Sequence, residues 1–301
     1  MQVFLTGGTG YIGAAVLDSL LRTGHQVTAL VRDPEKVERL EERGATPVLG
    51  EIAKPARYLA RVVEADAVVH AAYEATSRGP AVDKQFLDTV LPALAATARR
   101  RLFVYTSSVW VLGAQPTGAD ESAAVAPPTL AAWRPAHEAQ VLEAGVDPLR
   151  VAVVRPGIVY GGARGIVSDM LKDALNGLVR VIGDGKNRWP CVYDRDLGDL
   201  YARILGAPEA AGIFHAAGDE HEHVLDIAQA IASHCAPEAD IRYMPLAEAR
   251  TKLGPYAEVL ALDQVVRCPR ARGLGWAPAM HGITGNAPRL FEEYRRAASR
   301  E

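Results

Sequence analysis

The chain has 301 residues, of which 49% are hydrophobic and 23% are charged, a balance typical of a globular protein with a buried core. Its formal net charge is -3 and no basic run exceeds residues 99–101, so we expect neither nucleic acid nor anionic membrane as a partner. No stretch approaches the roughly 18 apolar residues of a membrane span, and the first residues lack the features of a secretory signal. We therefore expect a cytoplasmic protein. The three cysteines fall into no metal-ligand spacing, so no metal site is expected.

The beginning of the chain carries a nucleotide-binding pattern. Short apolar runs at residues 3–5 and 27–31 predict two buried strands, with a helical pattern of apolar residues between them. Gly7, Gly10 and Gly13 lie between the first strand and the helix, in the spacing Gly-x-x-Gly-x-x-Gly. In this context a dinucleotide pyrophosphate rests on the helix N-terminus, because glycine lets the phosphates approach the backbone N–H groups. A purely structural glycine-rich turn is the alternative.

The end of the second strand indicates which dinucleotide is bound. An acidic residue at this point hydrogen-bonds the adenosine ribose of NAD, whereas an arginine can pair with the extra 2′-phosphate of NADP. Arg32 occupies the position, and Asp33 with Pro34 forms the predicted N-cap and first residue of the next helix. We therefore predict NADP in preference to NAD. A solvated surface arginine is the alternative interpretation of Arg32.

Strands and helices continue to alternate through the first half of the chain. Apolar runs predict strands at residues 47–49, 67–70, 102–105 and 151–154, separated by helical patterns near residues 56–64, 82–99 and 130–144. This alternation predicts an α/β fold, a doubly wound parallel sheet with helices on both faces. Ligands of such sheets bind at the carboxyl ends of the strands, so the functional residues are expected in the segments that follow these runs.

Five segments resemble the short-chain dehydrogenase/reductase superfamily when they are taken together and in order. They are TGGTGYIG, VVHAA, YTSSVWVLG, VRPGIVYGG and NRWPCVYDRDLGDLYARIL. The resemblance is to the extended or atypical members, the NAD-dependent epimerase/dehydratase proteins, and it covers essentially the whole chain. It implies a Rossmann domain at residues 1–156 and a smaller C-terminal lobe, mainly for substrate, at residues 157–301. Residues 190–217 would return to the Rossmann core, and the family suggests a homodimer.

The resemblance also implies the cofactor contacts. The backbone of residues 9–12 would hold the pyrophosphate, and Glu51, which stands where the family usually has an aspartate, would contact the adenine together with Ile52. Ala71 and Ala72 would pass under the ribose and nicotinamide. The predicted cofactor-binding residues are Gly7, Thr9, Gly10, Tyr11, Ile12, Gly13, Arg32, Glu51, Ile52, Ala71, Ala72, His137, Pro156, Ile158 and Val159.

The catalytic pair of the family is absent from this chain. Its redox members use a tyrosine to transfer the hydroxyl proton, and a lysine four residues later lowers the pKa of that tyrosine. Here the matching positions hold Trp133 and His137, and none of the ten tyrosines is followed by a lysine at that spacing. Ser108, five residues before Gly113, matches the family serine that orients the substrate oxygen. The indole of Trp133 cannot replace the tyrosine, because its N–H group only donates hydrogen bonds.

Other residues are available for proton transfer. His137 can act as a general acid or base, or it can contact the cofactor ribose; a helix-surface histidine is the alternative. Tyr73, after the fourth strand, could turn its hydroxyl to the substrate or could pack structurally. Trp110 and Trp133 are predicted to line an aromatic substrate pocket beside Ser108. The predicted catalytic residues are therefore Ser108, His137 and Tyr73.

Three functions are consistent with this sequence. We expect an NADP-dependent oxidoreductase with a non-standard proton donor, acting on a small, cyclic or aromatic carbonyl or hydroxyl substrate. Hydride chemistry belongs to the cofactor, so the loss of the tyrosine does not forbid it. An isomerase, dehydratase, cyclase or lyase in the same cleft is the second reading. A sensor of NADP(H) without catalysis is the third, and the large C-terminal lobe disfavours it.

Overall fold

The computed structural model describes residues 1–299 and is built around one parallel sheet of seven strands. The strands are β1 (Gln2–Thr6), β2 (Gln26–Val31), β3 (Thr46–Leu49), β4 (Ala67–His70), β5 (Arg101–Thr106), β7 (Leu149–Pro156) and β11 (Gly212–Ala216). Their order across the sheet is β11, β7, β5, β4, β1, β2, β3. The chain runs outward in both directions from β1 and β4, so a crevice opens at their carboxyl ends. The predicted doubly wound α/β fold is confirmed.

Helices cover both faces of the main sheet. One face carries α1 (Tyr11–Arg22), α2 (Val37–Glu42) and α7 (Asp194–Gly206), and the other carries α3 (Leu59–Glu64), α4 (Gly79–Ala95) and α5 (Arg134–Glu143). Successive strand residues alternate between these faces: Leu5 packs in the core under α1, and Phe4 packs in the core under α4. Within residues 1–299, no helix combines the length and the apolar character that crossing a membrane requires.

Two helices begin at residues other than those predicted, and each has a proline in its first turn. The helix predicted near residues 130–144 begins only at Arg134, with Pro135 in its first turn and a separate 3-10 turn before it. The helix predicted near residues 82–99 begins earlier, at Gly79, and also has a proline in its first turn. Proline is favoured there because first-turn N–H groups have no partner within the helix.

The smaller lobe has its own hydrophobic core, to which Met170, Trp189 and Ile227 contribute. Its elements are β8 (Ile158–Tyr160), α6 (Ile166–Leu175), β9 (Leu178–Ile182), β10 (Arg188–Tyr193), β12 (His221–His223), α8 (Val224–Cys235), β13 (Asp240–Met244), α9 (Leu246–Leu253), α10 (Tyr256–Leu260) and α12 (Ala287–Ala298). Between β10 and β12 the chain crosses to the main sheet, where β11 pairs with β7. There α7 packs on α1 so closely that a Cβ on Gly198 would lie 2.5 Å from the Ala15 carbonyl oxygen.

The C-terminal part of the chain also pairs with and hydrogen-bonds the segment that follows β5. Strand β14 (Gln264–Val266), which precedes α11 (Pro269–Gly273), pairs in parallel with β6 (Gln115–Ala119). The buried side-chain amide of Gln264 donates hydrogen bonds to the carbonyl oxygens of Val109 and Gly113 at 3.0 and 2.7 Å. The two lobes therefore meet at the segment that follows Ser108.

Candidate active site

The loop between β1 and α1 lies so close to the end of β4 that no side chain would fit between them at Gly7. Gly7 has a φ of 78°, and a Cβ there would lie 2.7 Å from the Ala71 carbonyl carbon and oxygen. A Cβ on Gly13 would lie 2.0 Å from the Gly7 carbonyl oxygen. Gly10 is the N-cap of α1 and brings no side chain, so the first N–H groups of the helix face the crevice unblocked. Such a helix N-terminus fits the phosphates of a dinucleotide.

A cleft of about 360 Å³ follows the carboxyl ends of β1 to β4. Its walls include Gly7, Thr9, Gly10, Arg32, Gly50, Ile52, Ala71, Ala72 and Tyr73. The structure therefore brings much of the predicted cofactor set together around one space. We call this space the cofactor cleft.

Three cations and two acidic residues, Asp33 and Glu74, line the cofactor cleft. Arg32 and Lys36 line it at the end of β2. Asp33, between them, caps the following 3-10 turn by accepting a hydrogen bond from the Glu35 N–H at 3.1 Å. The guanidinium of Arg164, from the segment after β8, donates to the Thr9 carbonyl at 3.3 Å and also lines the cleft. This distribution suits a ligand with several phosphates.

Other members of the predicted cofactor set lie outside the walls of the cleft or behind them. The hydroxyl of Tyr11 donates to the Gly161 carbonyl at 2.9 Å, and burial raises the pKa of that hydroxyl far above its ordinary value. The carboxylate of Glu51 pairs with Lys54 on the surface, and Ile12 packs against the core under α1. Pro156, Ile158 and Val159 are buried at the ends of β7 and β8. Their contacts to a cofactor stay predictions.

A buried hydrogen-bond network joins β4, α4, β5 and α5. Its centre is the carboxylate of Asp83, a residue that is only 4% exposed. Oδ1 of Asp83 lies 3.0 Å from Nε2 of His70, and Oδ2 lies 2.7 Å from Nδ1 of His137. The hydroxyl of Tyr105 donates to the same Oδ2 at 2.8 Å. Two histidines and a tyrosine therefore share one carboxylate.

The hydrogen-bond partners assign the protons of this network. Oγ1 of Thr6 accepts from the Ala72 N–H at 3.2 Å, and its own hydrogen points to Nδ1 of His70 at 2.8 Å. His70 then carries its proton on Nε2, towards Asp83. An ionised carboxylate has no hydrogen to give, so His137 donates from Nδ1. Nε2 is then the ring atom of His137 that can serve a ligand.

Asp83 is ionised at neutral pH despite its burial. Burial alone would raise the pKa of this carboxyl, but hydrogen bonds from His137 and His70 outweigh it and hold the pKa well below its usual range. Burial and the charge of Asp83 raise the pKa of Tyr105, which stays a neutral donor. The carboxylate thus fixes the orientation and the tautomer of the His137 ring, as the aspartate of a serine protease does for its histidine. Among residues 1–299 no group of His, Cys, Asp and Glu side chains suits a metal ion.

The rings of Tyr73 and Trp133, which we call the aromatic wall, pack with the guanidinium of Arg134 beside His137. Trp133, the N-cap of α5, meets the His137 ring edge-on with centroids 4.9 Å apart. Tyr73 stacks on Trp133 with centroids 6.1 Å apart and remains half exposed. The guanidinium of Arg134 lies 4.4 Å from the Trp133 centroid and 5.4 Å from that of Tyr73, and it donates to the Thr106 carbonyl at 3.4 Å. Tyr73 and Trp133 are therefore brought together beside His137.

Ser108 lies at the junction of the two lobes. It follows β5 and caps the 3-10 turn Val109–Leu112. Its Oγ accepts from the Trp110 N–H at 3.2 Å, so its hydroxyl hydrogen is left to donate to a ligand. The ring of Trp110 packs edge-on against Tyr256 of the smaller lobe, with centroids 6.5 Å apart. The predicted substrate residues Ser108 and Trp110 are thus held by contacts with each other and with the smaller lobe.

Several residues of the site were not among those predicted from the sequence. They are Thr6, His70, Asp83 and Arg134. Asp83 had a recognisable signal, since it interrupts the apolar face of α4 that continues with Phe86, Leu87 and Val90. A carboxylate on a buried helix face needs polar partners. The histidine at the end of β4 is the nearest such partner on the neighbouring strand.

Comparison with known proteins identifies the family. The profile of the NAD dependent epimerase/dehydratase family matches residues 3–217, more than half of the chain. The chain belongs to this family. An uncharacterized protein of Schizosaccharomyces pombe is 27% identical over 92% of this chain and 95% of its own length.

Two further comparisons are informative, one through the relative's name and one through the cofactor bound in a solved structure. The 2-alkyl-3-oxoalkanoate reductase of Stenotrophomonas maltophilia is 32% identical over 64% of this chain and 62% of its own length. The solved structure of the human epimerase family protein SDR39U1 with NADPH superposes with a TM-score of 0.74 at 22% identity, covering 97% of this chain and 99% of that one. Further solved structures of the same fold contain NAD. At these identities the structures show the fold alone, which is the Rossmann fold of the short-chain dehydrogenase/reductases.

Proposed function

We propose that this family member is an NADP-dependent oxidoreductase that reduces the carbonyl group of a small apolar substrate, cyclic or aromatic in character, or oxidises the matching alcohol. The observation that carries the proposal is the hydrogen bond between Nδ1 of His137 and the buried carboxylate of Asp83. It gives the chain a proton donor at the position where its family resemblance predicts a lysine.

His137 is the proposed proton-transfer residue. Asp83 holds the imidazole in one orientation through Nδ1, so that a proton on Nε2 can be donated to the oxygen of a carbonyl as that oxygen gains charge. In the direction of alcohol oxidation the same Nε2 accepts the proton. Positioned acids and bases of this kind contribute about 10²- to 10⁴-fold to a rate.

Ser108 and the aromatic wall complete the proposed mechanism. NADPH, when bound in the cofactor cleft, would supply a hydride from C4 of its nicotinamide. The Ser108 hydroxyl donates to the substrate oxygen and polarises the carbonyl, because its own oxygen is already engaged by the Trp110 N–H. Trp133 and Tyr73 shield His137 from water, and Arg134 adds a positive charge where the substrate oxygen becomes negative.

The cations at the end of β2 support NADP. Arg32 and Lys36 line the cofactor cleft at the point where a 2′-phosphate would lie, and Asp33, which also lines it, has one carboxylate oxygen engaged by the N–H of Glu35 in the next turn. The NADPH in the structure of the human relative supports the same choice. The name of the bacterial relative, a reductase of 2-alkyl-3-oxoalkanoates, supports a ketone that carries alkyl chains as the substrate.

The test is NADPH oxidation, followed by absorbance, with neutral apolar ketones as substrates. We expect turnover by the wild type and a loss of kcat of about 10²-fold or more in His137→Gln, with the Kd for NADPH little changed. His234→Gln, at an exposed histidine of α8, is the matched control and should behave as the wild type. Ketone isomerisation or elimination without net NADPH consumption would instead assign the His137 pair to a lyase or isomerase reaction.

A further inference from the structure

A second cavity, of about 430 Å³, lies in the smaller lobe and shares no lining residue with the cofactor cleft. We call it the lobe cavity. Its apolar walls are Ile166, Met170, Ile182, Trp189, Val224, Met244, Leu253, Tyr256 and Leu260. These side chains come from α6, β9, β10, α8, β13, α9 and α10, so the cavity is enclosed by nearly every element of the lobe.

The lobe cavity adjoins the proposed catalytic residues through one aromatic contact. Tyr256 in its wall touches Trp110 edge-on, at a centroid distance of 6.5 Å. Trp110 in turn donates its backbone N–H to the Ser108 hydroxyl at 3.2 Å. Trp110 and Tyr256 therefore connect Ser108 to the wall of the lobe cavity.

The rim of the lobe cavity offers no spare positive charge. Arg180 is paired with Asp173 at 2.6 Å, and Lys252 is paired with Glu248 at 2.7 Å. Asp169 also lies on the rim, and within residues 1–299 no ion pair or side-chain hydrogen bond engages its carboxylate. The charged residues of the rim balance, two acidic against two basic, so nothing there attracts an anionic group, whereas an uncharged hydrocarbon group would meet matching apolar walls.

We propose that the lobe cavity binds the uncharged apolar tail of the substrate, an alkyl chain or fused ring system, while the carbonyl group lies at Ser108 and His137. This proposal rests on the proposed function and specifies its substrate class. At about 30 Å³ for each water-sized group, the cavity holds on the order of a dozen carbon atoms. Substrates with a phosphate, a nucleotide or a carboxylate at the far end of the tail are disfavoured by the same rim.

A chain-length series tests the proposal kinetically. The probes are 2-alkanones from 2-butanone to 2-dodecanone, with NADPH as reductant. We expect kcat/KM to rise by about three- to fourfold for each added methylene until the cavity is filled. A carboxylate at the far end of the longest ketone should abolish that gain. A kcat/KM that is flat with chain length would overturn the proposal.

Two variants on paired strands test whether the substrate tail occupies the lobe cavity. Ile182, half-buried on β9, lines the cavity, and Ile241, half-buried on the paired strand β13, does not. Ile182→Trp should fill part of the cavity and lower kcat/KM for 2-dodecanone by tenfold or more, with 2-butanone unaffected. Ile241→Trp should leave both values unchanged. Equal loss for both ketones in Ile182→Trp, or the same chain-length effect in both variants, would contradict this placement.

A binding measurement separates this proposal from the proposed function. The neutral fluorescent ketone 6-propionyl-2-(dimethylamino)naphthalene should bind saturably without cofactor, with blue-shifted emission that is lost in Ile182→Trp and kept in Ile241→Trp. UDP-glucose should not displace it. Saturable binding without NADPH oxidation would support the cavity assignment and refute the oxidoreductase. NADPH oxidation with no saturable binding, or displacement by UDP-glucose, would refute the cavity assignment alone.

Discussion

Replacing Asp83 by asparagine removes the charge on which a protonated His137 depends. Asparagine has nearly the same shape, so the packing of α4 against the sheet is kept. Its side-chain oxygen can still accept from His137 and Tyr105 at the observed distances of 2.7 and 2.8 Å, and its amide group then faces Nε2 of His70, whose proton must move to Nδ1 to keep that contact. The negative charge beside the imidazole is lost, and with it the stabilisation of the imidazolium.

The size of the effect follows from this short distance. An opposite charge within about 4–6 Å changes a protonation equilibrium by about one to three pH units. We therefore predict that kcat for ketone reduction at pH 7.5 falls by about 10- to 10²-fold in Asp83→Asn, because the imidazolium of the proton-transfer step loses the charge that faces it. The Kd for NADPH should change little, because Asp83 is not part of the cofactor cleft.

The assay is NADPH absorbance between pH 5 and 9, with thermal unfolding to establish that each variant is folded. Asp88→Asn is the matched control: Asp88 lies on the same helix but is exposed, and it bonds Lys84 and Gln140 on the surface. It should retain wild-type kinetics. A folded Asp83→Asn protein with kcat within threefold of the wild type would refute the role of Asp83 in positioning His137.

Two further predictions concern the cofactor and the fold. Arg32→Ala should raise the Kd for NADPH by tenfold or more and leave that for NADH nearly unchanged in a fluorescence titration; equal weakening of both would remove Arg32 from the 2′-phosphate site. Burial, and then the nearby Arg155, lowers the pKa of His215 to about 4 from its ordinary 6.5. The unfolded chain therefore takes up the proton first, so the free energy of unfolding should fall by about 3 kcal/mol as the pH drops from about 6.5 to 4. Urea unfolding in His215→Gln should show a smaller decrease over that range, and an identical decrease would contradict the assignment.

The main sheet and the glycine loop could be predicted because their signals are local. Residues 3–5 and 27–31 are short apolar runs, and the glycines between them are placed where the backbone of β1 approaches that of β4. The observed φ of 78° at Gly7 is the conformational reason for glycine there. Helix boundaries were less predictable, since the segment predicted as one helix divides into a 3-10 turn that ends at Ala131 and α5, which begins at Arg134.

The hydrogen-bond network could not be predicted in full, because its members are far apart in the sequence. Thr6 and His70 are 64 residues apart, and Asp83 and His137 are 54 apart. Their meeting depends on the order of β1, β4 and β5 in the sheet and on the rotation of α4 and α5 above it. Sequence spacing placed His137 at the family's lysine position, but only the packing of α4 supplies the carboxylate that gives this histidine its proposed role.

The most direct test of hydride transfer with His137 as proton donor uses NADPH carrying deuterium at C4 of the nicotinamide. Mass spectrometry of the product from 2-decanone would show where the label goes. We predict that deuterium appears on the carbinol carbon, in wild type and far more slowly in His137→Gln. Absence of label from every product, with the ketone unchanged or isomerised, would contradict an oxidoreductase.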